Sequence, residues 1–288
     1  MRLLALALAL SAAAPAAAAS ASPAVAKLDG RVVVTEADLS DWSAAQACYG
    51  PGALTSRKAA FMRLTEAAVA EAAMAAHGGP VIDAAKLDAE VRRIDRETRA
   101  PEILACIKRS LGERYARVFV RPELVESSLR LFLMRDPKVQ EGPRGKAEEA
   151  LARARKGGSL EKAATALGLF YSSATYTTAP STTPASFRPD MPPPDYQAAF
   201  IKGHLAALEP GEAAAAPIES DYAFQDVRLL SHDGPRWTFE AAVARKASQE
   251  DWFGSMKKMR LQVLDKALYE WVKGLSGNPR LRAVRLEP

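Results

Sequence analysis

Few residues of this chain have the types and spacing to do acid–base, nucleophilic or metal chemistry. The three histidines, His77, His204 and His232, lie far apart. None has ligand spacing such as H-E-x-x-H, and a metal site needs clustered ligands. His77 stands before Gly-Gly-Pro and reads as a helix-end residue; His232 in "SHDG" reads as a turn residue. No Ser/His/Asp or Cys/His constellation is readable. The sequence therefore offers no catalytic residue, no metal ligand and no reason to expect a cofactor. Asp221 and Asp226 are the remaining acid–base candidates, and an exposed strand carboxylate is the simpler reading of both. The two cysteines, Cys48 and Cys106, suggest a single disulfide if the compartment is oxidising, the alternative being two buried free thiols.

The compartment is read from the first residues. "MRLLALALALSAAAPAAAASA" has one charge at Arg2, an apolar run from Leu3 to Leu10, and an Ala-rich stretch with A-x-A cleavage options after Ala19 or Ala21. That order of parts predicts a secretory signal peptide over residues 1–21 and a periplasmic or secreted product. The apolar run is shorter than the ~20 residues needed to cross a bilayer, and no later segment looks able to span one. Formal net charge is +5, but runs such as "RRIDRETR" and "KAEEALARARK" alternate in sign and read as solvated helix faces. No basic patch interleaves with aromatics, so no nucleic-acid partner is expected.

The elements that would position these residues follow from pattern. Val25–Leu28, a "DG" turn and Val32–Val34 read as strand, turn and strand, and Thr35 with Asp38 as a capping box opening a helix. Helical spacing continues from Arg57 to His77, from Asp83 through Ile94, through Ile103, Ile107 and Leu111, and from Pro122 to Met134. The helix "KAEEALARARKGG" and the shorter "LEKAATAL" come next. Gly168–Pro194 is rich in Ser, Thr and Pro and reads as a linker or a loop over a sheet. After a helix around Tyr196–Leu208, Tyr222–Leu229 and Trp237–Val243 alternate as strands. Trp252, Met256, Met259, Val263, Ala267 and Trp271 then stripe one last helix, Trp252–Leu275. Many helices followed by a few late strands predict an α+β fold.

The order of these parts resembles the SurA-like family of exported folding factors, in which a helical chaperone domain is joined to a parvulin-type prolyl isomerase domain. "VAKLDGRVVVTEADL" is similar to the family's V-A-x-V-N-G-x-x-I-T-x-x-D-L opening. "KAEEALARARKGGSLEKAA" is similar to its K-A-E-x-L…G-x-x-F-x-x-L-A helix, and "MPPPDYQAAFIKGHLAALEPGEAAAAPIESDYAFQDVRLL" to the end of its parvulin domain. The resemblance implies a helical domain over residues 22–135, a parvulin-like α/β domain over 136–235, and a C-terminal strand and helix over 236–288 packing back on the N-terminal helices. It also places Met191, Tyr196 and Phe200 on the proline pocket; the alternative for these three is ordinary core packing.

The departures concern the chemistry. The family's first parvulin strand reads R-H-I-L-V, and the nearest match, "RLFLM" at Arg130–Met134, has Leu131 at the histidine; this segment also reads as a helix end. The second histidine is replaced by Ala223, and the glycine-rich segment is reduced to "LGLFYS". Prolyl isomerisation crosses a ~20 kcal/mol amide rotation barrier and needs oriented polar groups around the twisted bond. The expected function is thus a folding factor that binds unfolded or nascent envelope polypeptides with a parvulin-like domain lacking its polar pair. The alternatives are an active isomerase and a structural component of an envelope or secretion assembly.

Overall fold

The computed structural model describes residues 22–178, 192–275 and 277–288; the leader and Met191 lie outside them. The chain enters as a hairpin of β1 (Ala24–Leu28) and β2 (Arg31–Thr35). Its turn residues Asp29 and Gly30 have φ of +47° and +83°, the positive pair that lets an Asp-Gly turn match the twist of two strands. Thr35 caps α1 (Glu36–Ala47) in the capping box read from the sequence, its hydroxyl accepting from the Asp38 N–H while the Asp38 carboxylate accepts from its own. Ser56 caps α2 (Arg57–Ala76) and Asp83 caps α3 (Ala84–Glu97). Pro101 opens α4 (Pro101–Leu111) at a position where a missing N–H costs nothing. Cys48, just past α1, is disulfide-bonded to Cys106 on α4, with 5.9 Å between their Cα atoms.

A π-helical turn at Ala116–Val120 leads into α5 (Arg121–Arg135). Then come α6 (Glu141–Arg155), α7 (Leu160–Leu167) and β3 (Phe170–Thr177). The helix α8 (Pro194–Phe200) runs on as a π-helical turn, Ile201–Leu205. Three strands follow: β4 (Ile218–Glu219), β5 (Ala223–Asp233) and β6 (Arg236–Arg245). The chain closes with α9 (Gln249–Ser255), β7 (Met259–Val263), α10 (Lys266–Lys273) and β8 (Val284–Glu287).

The architecture is α+β, built on two four-stranded sheets. The first runs β2-β1-β7-β8, with β7 antiparallel to β1 and parallel to β8, so the two ends of the chain complete one sheet. Phe61, Val69 and Met74 of α2 share its core with Trp252, Phe253, Leu261, Leu268 and Val272. The C-terminal segment does pack on the N-terminal helices. It is not the single helix that the stripe from Trp252 to Trp271 suggested. Met256 takes an extended conformation, and Leu261 and Val263 then bury at every second residue while their backbone joins the ladders of β1 and β8. Spacings of three and four residues fitted a helix; a ladder with strands distant in sequence outweighs that fit.

The second sheet runs β3-β6-β5-β4 and is antiparallel throughout. Two expectations change here. β6 lies between β3 and β5, so this unit continues through Arg245 and a boundary at residue 235 would cut its middle strand out. "RLFLM" is the last turn and a half of α5, so Leu131 sits on a helix and contributes to neither sheet. α6 and α7 cover one face, placing Ala147 against Phe224 and Ala244, and Ala154, Leu160 and Ala164 against Ala242. Phe200, Ile201 and Leu205 cover the other, against Val227, Phe239 and Ala241. Among the described residues, no helix is long and apolar enough to cross a membrane.

Candidate functional site

The residues assigned to a proline pocket separate by burial. Tyr196 and Phe200 lie one turn apart on α8 and their rings stack at 6.1 Å. Phe200 is only 7% exposed and its ring meets Tyr176 at 5.4 Å and Phe239 at 5.5 Å, from β3 and β6. That is a core side chain clamped by two strands, the core-packing alternative left open for it by the sequence. Tyr196, 49% exposed, is left as the surface member of the pair, and Met191 lies outside the described residues. His204 closes the cluster with its ring 5.1 Å from Phe200. His77 packs against Trp252 at 5.4 Å and His232 stacks on Trp237 at 4.6 Å, so each histidine serves an aromatic contact.

An open apolar groove lies elsewhere, where α5 meets the second sheet. It has a volume of about 670 Å³, and its walls are Arg130, Leu131 and Met134 of α5, Asp221 and Tyr222 before β5, and Lys246–Gln249 after β6. Leu131 is 47% exposed and Tyr222 81%. The groove includes Leu131 and adjoins Ala223, since Ala223 follows Tyr222 into β5. Sequence reading treated Leu131 and Ala223 only as losses. The hint it missed is that Leu131 is out of phase with the buried Val125, Leu129 and Phe132 of the same helix, so helical periodicity alone puts it outside the core.

Polar contacts fix the groove's walls. The Lys246 ammonium donates to the Met134 carbonyl at 2.9 Å and to Glu219 at 2.8 Å, tying the end of α5 to the end of β6. Gln140 accepts from the Ala247 N–H at 2.9 Å and donates its amide to the Leu133 carbonyl. The Lys246 hydrogen bond holds the Glu219 carboxyl below the usual carboxylate range. Lys246 and Arg144 also sit over the Phe224 ring at 5.3 and 4.9 Å. The two sides of the groove are thus held at a set separation, as an apolar surface needs if it is to stay open.

Under α6, the sheet holds charge. Glu240 accepts from the Tyr171 hydroxyl at 2.6 Å and pairs with Arg228 at 2.5 Å, and Arg228 also donates to the Gly158 carbonyl at 3.1 Å. The hydrogen bond to Glu240 pushes the Tyr171 hydroxyl up to about 12. Asp226 is fully buried on this face, opposite Ala242, and neither carboxyl oxygen has a hydrogen-bond partner among the described residues. It is not the exposed strand carboxylate that the sequence suggested. Burial pushes it up to about 7, with Glu148 of α6 adding to the shift. The local signal was the Ala147, Ala150 and Ala154 stripe, which lets α6 approach a strand closely enough to bury what lies beneath. Asp226 is not part of the groove at Leu131 and Tyr222. Among the described residues no group of three or more His, Cys, Asp or Glu could hold a metal ion.

The chain matches no protein-family model, no curated protein and no solved structure.

Proposed function

We propose that this chain is an exported folding factor that holds unfolded segments of secreted or outer-membrane proteins without accelerating prolyl isomerisation. The observation that carries this reading is the fixed groove between α5 and the second sheet, with Leu131 and Tyr222 exposed in it. Exposed apolar side chains in a held-open concavity favour many apolar segments weakly, which suits a holding function. The isomerase side of the resemblance lacks support at the same place. Leu131 and Ala223 can neither donate nor accept a hydrogen bond, so the polar frame that a twisted amide requires is missing. Export rests on the leader's sequence pattern, and the Cys48–Cys106 bond suits an oxidising compartment.

The test combines two assays on one set of proteins. The wild-type chain should slow aggregation of a urea-unfolded outer-membrane protein and leave the X-Pro isomerisation rate of a short peptide unchanged. Leu131→Asp combined with Tyr222→Ala should lose most of the protection and keep its melting temperature, because both side chains are exposed. Undiminished protection in that variant, or a robust isomerase rate from the wild type, contradicts the reading.

A further inference from the structure

We infer that the free edge of β3 is the contact of a homodimer, in which two copies of this chain pair their β3 strands antiparallel about Ser173 and join their second sheets into one. β3 ends its sheet, and among the described residues its ladder is with β6 alone. The Thr178 N–H donates to the Pro235 carbonyl at 3.0 Å, which fixes the alternation along the strand. Residues of even number turn N–H and C=O to β6, and Tyr171, Ser173, Thr175 and Thr177 turn theirs outward. That outward row is closed at both ends. The Leu169 N–H donates to the Ala164 carbonyl at 2.8 Å, and the Thr177 N–H to the Gln197 side chain at 3.1 Å. Between them, Tyr171, Ser173 and Thr175 have no outer backbone partner among the described residues. Their side chains leave the edge clear, because each is fastened towards β6: Tyr171 to Glu240, Ser173 to the Phe239 carbonyl at 3.3 Å, and Thr175 to Thr238 at 3.0 Å.

The occupant follows from the symmetry of that row and from its lack of charge. The free residues are centred on Ser173. An antiparallel second copy therefore sets Ser173 against its counterpart and Tyr171 against the partner's Thr175, and every free N–H and C=O of both rows is satisfied. Moving the two-fold axis to residue 172 or 174 would set part of the row against Leu169 or Thr177, whose N–H groups are already taken. The same register lays Phe170, 61% exposed, against the partner's Tyr176, an aromatic pair across the strands. Edge strands are ordinarily protected by charge or proline. β2 has Arg31, β4 has Glu219, and β8 has Arg285 and Glu287, whereas "FYSSATYT" has neither protection. An unfolded segment would find no charge here to orient it and no fixed register, so a second copy fits better. This surface is distinct from the groove at Leu131 and Tyr222, and the inference does not depend on that groove's role.

Analytical sedimentation of the full chain and its point variants tests it. The wild type should sediment as a dimer. Ser173→Pro should be monomeric with its melting temperature little changed, since the N–H it removes faces away from the β6 ladder. Ser173→Lys and Ser173→Glu should each be monomeric alone, because like charges then face each other across the two-fold axis. An equimolar mixture of those two variants should restore the dimer. Phe170→Ala should weaken dimerisation about tenfold, since its aromatic pair occurs twice about the axis, while Leu131→Asp changes nothing. A wild type that is monomeric at every concentration, a dimer that Ser173→Pro leaves intact, or a Lys and Glu mixture that stays monomeric overturns the inference. So does a monomer that binds an extended peptide and loses it in Ser173→Pro, which would give the edge to a client.

Discussion

The sheet that joins the chain's ends buries Val25, Val34, Leu261 and Val263 in one continuous apolar core with α2, α9 and α10. The sheet between β3 and β4 divides its two faces among three smaller clusters and buries Asp226 and Glu240 among them. The N-terminal half buries carboxylates as well, but there Asp38 meets Arg117 at 2.6 Å and Asp41 meets Arg114 at 2.9 Å. Glu240 has Arg228; Asp226 has no such partner. The difference teaches that the two halves draw stability from different sources. The first depends on apolar continuity between distant segments, and the second tolerates an internal electrostatic strain held in place by an alanine-lined helix.

The contrast is broken most severely by emptying the larger core. Phe253 is fully buried and packs edge-on to Trp252 with ring centroids 4.9 Å apart. Phe253→Ala should cost ~3–5 kcal/mol and loosen β7 and β8 together with α2, measured by denaturant unfolding and hydrogen exchange. Protection lost only around α9 would show that the chain's ends do not stabilise each other.

The second sheet should respond in the opposite direction. The Asp226 carboxyl is raised from 3.8 to about 7, so the folded state favours the protonated form. The group's contribution to stability is fully present below about pH 4 and is lost as pH rises to about 7, then stays level. Asp226→Val should therefore stabilise the protein by up to ~4 kcal/mol at pH 8, with a smaller gain at pH 5. Melting curves at both values check it, and a variant less stable than wild type at pH 8 would mean that the carboxylate has a partner after all.

A third region sharpens the comparison from outside both sheets. Ala45, Ile107, Leu111, Tyr115 and Val120 form a satellite cluster spanned by the disulfide. With its cysteines 58 positions apart in sequence, reduction or Cys48→Ser with Cys106→Ser should cost ~2–4 kcal/mol by restoring freedom to the unfolded chain. The loss should appear first as exchange of α3 and α4 amides, leaving the second sheet protected. Thiol labelling of the unfolded, unreduced protein should fail, and free labelling would remove the disulfide from the account.

What the sequence showed was largely local. The "DG" hairpin, the Thr35–Asp38 capping box, and the starts of α2 at Arg57 and of α3 after Asp83 follow from neighbours within a few residues, where turn and cap chemistry decides. Pairing between distant segments was not legible. β7 lies inside a stretch that keeps helical spacing, and its strand state comes from β1 and β8, both far off in the chain. The middle position of β6 likewise depends on β3. Of the candidate site, the sequence pointed to Leu131 and Ala223, which lie in and beside the groove. It did not reveal that Phe200 faces a core, that Tyr222 faces solvent, or that Asp226 is sealed under α6, since each depends on which helix covers which face.

The central claim is that unfolded segments are held at the groove between α5 and the second sheet, and site-specific photo-crosslinking tests it directly. A photoreactive benzoyl-phenylalanine is placed at Tyr222 in one protein and at the half-exposed Tyr196 in another, and each is irradiated with an unfolded outer-membrane polypeptide. The account predicts abundant crosslinks from position 222, competed away by unlabelled polypeptide, and few from position 196. Equal crosslinking from both positions, or crosslinks from position 196 alone, would contradict it.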